Sequence, residues 1–260
     1  MRDDGGAVNA AVFVAHPGHE LMIYNWIERH KPLYCCLTDG SGGNAGSRVP
    51  STASLLATVG GRPGTIFGRH SDKTVYRLLL DGRVDEFTAL AKELADQLIA
   101  GNIDIVAGDA VEGFNPVHDI WRVLIDGAVA VAERQTGRTI RNYDFALDSG
   151  PASCPESLRH VALTTTLDEA ALDRKLTAAL AYPEMRYEVE AALGRFGREA
   201  FAVECLRPSS THTVIAEFEQ DLPNYERFGQ IRVEEGRYAD VIRYRDHVLP
   251  VIDAIAQMAT

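Results

Sequence analysis

Two imidazoles stand three positions apart in VFVAHPGHE, residues 12–20: His16 and His19, with Glu20 directly behind them. A third, His118, lies in NPVHD, residues 115–119. Imidazole nitrogens are good zinc ligands, and three protein ligands with a fourth position left to water make a catalytic arrangement. Water held there is acidified to a pKa near about 7 and becomes a usable nucleophile. His118 falls in the first turn of an expected helix, where the positive helix end disfavours imidazolium. Its ring should therefore be neutral, the form that binds metal. One isolated histidine is ordinarily a satisfied structural residue, but three gathered at strand ends point to a shared ion. His30, His70, His160, His212 and His247 are read as structural.

Such a site requires distant segments to end at one edge of the fold. Residues 8–15 form a short apolar run, read as the first strand. Leu21, Tyr24 and Ile27 recur at helical spacing, and PLYCCLT, residues 32–38, is a second buried strand. STASLLATVG reads as a short helix stopped by Gly60-Gly61, while TVYRLLL, residues 74–80, reads as a strand or extended segment. Phe87, Leu90, Ala91, Leu94 and Leu98 mark one helical face, closed by Gly101-Asn102. IDIVAGDA is a buried strand, and Asn115 and Pro116 are the N-cap and first residue of the helix behind it. RNYDFAL and RHVALTTT are further strands, and Thr166 with Glu169 forms a capping box for the next helix.

Strands alternating with amphipathic helices predict an α/β protein: a mostly parallel sheet covered by helices on both faces. Residues 1–260 are expected to form one domain, with 205–260 an extension packed on it as a lid or oligomer contact. In such sheets, ligands bind outside the carboxyl ends of the strands. His16 to Glu20, Thr38 to Gly40, and the group Asp109, Glu112, Asn115 and His118 would all gather there.

Composition narrows the function classes. The net charge of −11 and the lack of a Lys/Arg stripe argue against nucleic acid. No stretch approaches the roughly 18 apolar residues of a membrane span, VLIDGAVAVA being interrupted by Asp126. The acidic MRDDGGAVNA start does not read as a secretory signal, and Met1 to Gly6 are expected to be disordered. Cys35 and Cys36 should point to opposite sheet faces, and all four cysteines are read as reduced. A cytoplasmic protein with a small-molecule substrate is expected, with a homo-oligomer open.

At these residues the chain resembles the PIG-L/LmbE-like zinc de-N-acetylases. AHPGHE at 15–20 stands for that family's AHPDDE, LTDGSGG at 37–43 for its second strand ending in TDG, and NPVHD at 115–119 for its His-Pro-Asp-His element. The match runs from about residue 8 to about 180 and leaves the tail after about 205 unexplained. The resemblance implies a Rossmann-like fold and one zinc per chain on His16, His19 and His118, with His19 in place of a family aspartate. It also implies a general base at position 18, where this chain has glycine, and an oxyanion donor at Asn115, where the family has histidine.

A glycine cannot take a proton, so Glu112 is the first substitute base, followed by Glu20 and Asp109. Glu20 could equally stabilise a helix start, and Asp119 could orient His118 or merely occupy its favourable first turn. Asp39 is read as supporting the site or as an ordinary turn residue. Arg48 is read, by analogy with the family, as a holder of a polar substrate group, or as a surface arginine. GSGGNA, residues 40–45, fits a dinucleotide-binding pattern, but no acidic residue follows at the right distance and Pro50 interrupts the helix. The reading is a zinc-dependent hydrolase of an N-acyl group on a polar small molecule, such as an N-acetylated amino sugar. The alternative is a protein of the same ancestry that has lost its base and binds, or acts on another amide or ester.

Overall fold

The computed structural model describes residues 8–42 and 46–260. The expected disorder at Met1 to Gly6 and the end of the GSGGNA pattern lie outside the described residues. The first strand is β1 (Ala10–Val14), followed by a 3-10 turn (His19–Ile23), α1 (Tyr24–His30) and β2 (Leu33–Thr38). Next come α2 (Val49–Val59), β3 (Arg62–His70), α3 (Asp72–Leu80) and α4 (Val84–Ala100). The second half begins with β4 (Ile105–Asp109), α5 (Pro116–Thr136) and β5 (Arg141–Phe145). It continues with β6 (Leu163–Thr166), α6 (Glu169–Leu180), α7 (Arg186–Phe196) and β7 (Val203–Pro208). The tail carries α8 (Thr211–Glu217), α9 (Asn224–Glu234) and α10 (Leu249–Ala259).

The sheet order is β3-β2-β1-β4-β5-β7-β6. The first five strands run parallel, and β7 pairs antiparallel with both β5 and β6. This is the expected mostly parallel α/β sheet. Alternation along the central strands sorts the core into two layers. Ala11, Phe13, Cys35 and Leu37 pack with α3, α4, α5 and α10, whereas Val12, Val14, Tyr34 and Cys36 pack with α1 and α2. Cys35 and Cys36 thus lie on opposite faces, and both are free thiols.

The chain leaves β1 toward β2 on one side and returns to β4 on the other. That reversal of strand order opens a crevice at the carboxyl ends of β1 and β4. His16 and His19 follow β1, while Asp109 ends β4 and His118 opens α5. Asn115 caps α5, its Oδ1 accepting from Val117 N at 2.9 Å, with Pro116 in the first turn.

Two sequence expectations are corrected, and one strand stands where none was read. TVYRLLL belongs to α3: Ser71 caps it by accepting from Thr74 N at 3.1 Å, and Val75 and Leu79, four apart, are buried on one face. An apolar run this short fits either period, and the cap decides. The strand β3, not expected in RPGTIFGRH, is an edge strand whose pairing to β2 carries register shifts. Pro63, Gly64 and Gly68 are tolerated there because one edge needs no partner. The cap of α6 is Asp168, accepting from Ala171 N at 2.8 Å, while Thr166 ends β6.

Residue 205 lies within β7, so the sheet itself runs into the segment taken as an extension. Beyond β7, α10 lies against α4 and α5, with Val251 and Ile255 in the core. Phe218, Tyr225 and Tyr244 enter the same core from the tail.

Candidate metal centre

The three histidines converge. Ring centroids are 5.3 Å apart for His16–His19, 4.8 Å for His16–His118 and 4.6 Å for His19–His118. A turn made possible by Gly18, at φ +106°, brings the first two together. Glu20 holds that turn: its buried carboxylate accepts from Gly18 N at 2.8 Å, the Tyr34 hydroxyl at 2.7 Å and the Thr52 hydroxyl at 2.6 Å.

Each of the first two rings is gripped at Nδ1 by a carboxylate. His16 Nδ1 lies 2.7 Å from Asp72 Oδ1, and His19 Nδ1 lies 2.9 Å from Asp109 Oδ2, which also accepts from Ala15 N at 2.7 Å. Carboxylates only accept, so both rings carry the proton on Nδ1 and leave Nε2 as a lone pair. His16 Nε2 is buried with no partner. Thr38 Oγ1, 2.7 Å from His16 Nδ1, completes the grip.

Burial lowers the pKa of His16, with Asp72 pulling the other way. Burial, then His19 and His16, holds His118 well below the ordinary imidazole range. Asp72 is held below the usual carboxylate range by its bond to His16, against the opposing effect of burial. Burial thus favours the neutral ring at His16 and His118, and carboxylates back His16 and His19, the arrangement metal-binding histidines use to fix tautomer and orientation. Three imidazoles around one tetrahedral zinc, with Zn–N of about 2.0–2.1 Å, would hold ring centroids about 5 Å apart. As they stand the rings pack edge to face. Among the described residues no group of three His, Cys, Asp or Glu side chains is closed to metal-ligand spacing. The residue types and ring separations fit the ion.

The expected acids have other partners. Glu112 accepts from Leu147 N, Asp148 N, Ser149 N and the Ser149 hydroxyl at 2.8, 3.0, 3.1 and 2.6 Å, and so fastens the loop after β5. Neither Glu112 nor Glu20 is hydrogen-bonded to an imidazole among the described residues. Asp119 accepts from Glu112 N and Gly113 N at 3.1 and 3.3 Å, and burial pushes its pKa up to about 7. It shapes the β4–α5 loop and makes no bond to His118. Asp39 accepts from Ser41 N at 3.0 Å, an ordinary turn contact.

Asp72 was absent from the sequence-level set. The one available signal was Ser-Asp ahead of a buried helix face, hidden because TVYRLLL reads as extended. The base position holds a second surprise. A Cβ on Gly18 would meet Met185 Cγ and Sδ at 2.9 Å. Arg48 Nη1 lies 2.7 Å from the same Sδ, and its Nη2 lies 3.7 Å from Glu188. Met185 thus fills the space an aspartate at position 18 would need. Gly18→Asp is expected to lower the urea midpoint, at a cost of about 1–3 kcal/mol for a side chain at positive φ. It should not raise hydrolysis. Adding Met185→Ala should recover part of the loss; a fully stable single variant would refute this packing.

No family model matches the chain. No curated protein matches it. Solved structures do. The conserved protein TT1542 from Thermus thermophilus superposes with a TM-score of 0.51 at 18% identity, covering 76% of this chain and 93% of that one. A deacetylase–teicoplanin complex from the teicoplanin biosynthesis pathway gives 0.51 at 12% identity, with 77% and 98% covered. A deacetylase–bog complex from that pathway gives 0.50 at 14%, with 77% and 97% covered. At these identities the likeness is one of architecture: the chain has the α/β fold found in those deacetylases.

Proposed function

We propose that the protein is a zinc-dependent hydrolase that removes an N-acyl group from a polar small molecule, such as an N-acetylated amino sugar. The observation that carries this reading is the cluster of three imidazoles, two of them held at Nδ1 by Asp72 and Asp109. His16, His19 and His118 would hold one zinc per chain. When bound, the ion supplies an acidified water and positive charge for a carbonyl oxygen.

The chain's own residues do the rest. Asp72 and Asp109 keep two rings in one tautomer. Asn115 has its Oδ1 engaged by Val117 N and, at 3.5 Å, the Tyr76 hydroxyl, which leaves its amide hydrogens for a developing oxyanion. Asp109 retains an unpartnered, buried Oδ1, and we assign it the proton transfer to the leaving amine in place of Glu112 and Glu20. Arg48, beside Gly40 and Met185, is the group we place on a polar substrate substituent. We read the whole chain as one domain, with α8 and α9 bordering the site.

The full chain, loaded with zinc, should release acetate from at least one N-acetylated amino sugar. Release should stop on chelation and fall at least about a hundredfold in Asp109→Asn, the range of one general acid–base group. Turnover unchanged by chelation would sink the metal reading. A second reading, favoured by Met185 in the base position, is a protein that binds such a sugar without cleaving it. Saturable binding with no acetate release from the zinc-loaded chain would select it.

A further inference from the structure

The histidine turn is covered. The side chains of His16 and His19 are only 11% and 13% exposed, and His16 Nε2, the lone pair left for an ion, is buried. A molecule the size of a sugar reaches rings so enclosed only after something moves. Met185 is the side chain packed over Gly18, between the two histidines in sequence, and α7 begins at the next residue.

The helix α7 is weakly bound to the fold. None of its residues is buried, and its main contacts are with α6 and with the short turns on either side of it in the chain. Leu193 and Phe196, at its far end, lean on a small cluster of Leu167, Ala171, Leu172 and Phe201 that is separate from both core layers. Met185 and Val189, nearer its start, rest on the α1–α2 layer and are only partly buried. Gly197 follows the helix at φ +77°, with nothing within 4 Å of where a Cβ would stand. The start of the segment is fastened to α2 by polar contacts. Ser51 Oγ donates to Glu184 Oε2 at 2.8 Å, Arg48 Nη1 donates to Met185 Sδ at 2.7 Å, and Arg48 Nη2 lies 3.7 Å from half-exposed Glu188. A thioether is a weak acceptor, and an exposed ion pair contributes little. Tyr182 is different: it is buried, and its hydroxyl bonds Thr52 Oγ1 at 2.8 Å and Arg48 O at 3.1 Å, which anchors the chain just before Pro183. Segments with few buried apolar contacts open locally at a fraction of the cost of global unfolding.

We propose that residues 183–196 form a lid over the histidine turn, which swings between the Tyr182 anchor and Gly197 and carries Met185 off Gly18 when it opens. This rests on the reading of the imidazole cluster as the reaction centre and adds the conformational step that admits the substrate. Opening breaks the Ser51–Glu184 bond and frees Arg48 Nη1, so the guanidinium assigned to a polar substituent becomes available in the same motion. Closure returns the thioether to the turn and shields the rings from water, as lids over reaction centres do.

The test uses the zinc-free full chain without substrate, so its outcome does not depend on hydrolysis. Hydrogen exchange read by mass spectrometry should show the amides of α7 exchanging at least about tenfold faster than those of α6. Diethyl pyrocarbonate, which acylates neutral imidazole, should label the peptide holding His16 and His19 slowly and exposed His160 fast. Ser51→Ala should raise α7 exchange and His16/His19 labelling together by about two- to tenfold, the range of one hydrogen bond, and leave His160 unchanged. Glu184→Ala breaks the same bond from the other side and should reproduce this. Met185→Ala should raise the labelling without needing faster exchange in α7. Amides of α7 as protected as those of α6 overturn the lid. So does labelling that fails to follow α7 exchange in both latch variants, or that Met185→Ala leaves unmoved. A lid that meets these expectations in a chain that releases no acetate when zinc-loaded stands while the hydrolase falls; acetate release with α7 as protected as α6 does the reverse.

Discussion

Replacing His118 by alanine is expected to take the protein from about one bound zinc per chain to none measurable after dialysis. His118 contributes one of three rings, and two imidazoles alone leave the ion with too few protein ligands. His19→Ala should do the same. Asp72→Asn is the more discriminating variant. It keeps the shape but replaces a carboxylate that only accepts, 2.7 Å from His16 Nδ1, with an amide that can turn either way. Loss of such a supporting group ordinarily costs about 10–100-fold in metal affinity. Elemental analysis and a competitive chelator titration would read both. Native stoichiometry in His118→Ala, or unchanged affinity in Asp72→Asn, would show that the rings pack for structural reasons alone.

A second large effect is expected far from the histidines. Lys175 of α6 is buried and lies 3.0 Å from Glu204 of β7. Lys175 also donates to Met22 O at 2.7 Å, and Glu204 accepts from Asn25 N and Trp26 N at 2.9 Å each. One ion pair therefore joins β7, α6 and the start of α1, the segment that follows His19. Burial lowers the pKa of Lys175, with Glu204 opposing it. Glu204→Leu would strand an ammonium and two backbone donors, and should cost about 3–5 kcal/mol. For a chain of this size that lowers the melting midpoint by roughly 10 °C. Lys175→Met should cost less, because Glu204 keeps both backbone donors. The reverse order in urea midpoints would contradict this account.

The histidine turn shows how far local sequence reaches. His16-Pro17-Gly18-His19 follows a short apolar run, and a strand must end there. Asn115-Pro116 cap a helix by chemistry contained within four residues. The buried face of α4 was legible for the same reason, since a helical period is written in the residues that form it. Edge strand β3 was not, because its Pro and Gly residues are permitted only by its place in the sheet. Neither was α3, whose short run is compatible with two periods until Ser71 caps it.

By itself, the sequence determined the alternation of strands and helices, the three imidazoles and their delivery to the strand ends. Tertiary structure decided the rest. Asp72 reaches His16 across 56 positions, Met185 fills the space over Gly18, and Glu112 and Glu20 accept from backbone and hydroxyl donors. Residue type sets what a side chain can bond, and local period sets which face it takes. Its actual partner is whichever group long-range packing brings within about 3 Å, and no short stretch of sequence encodes that distance.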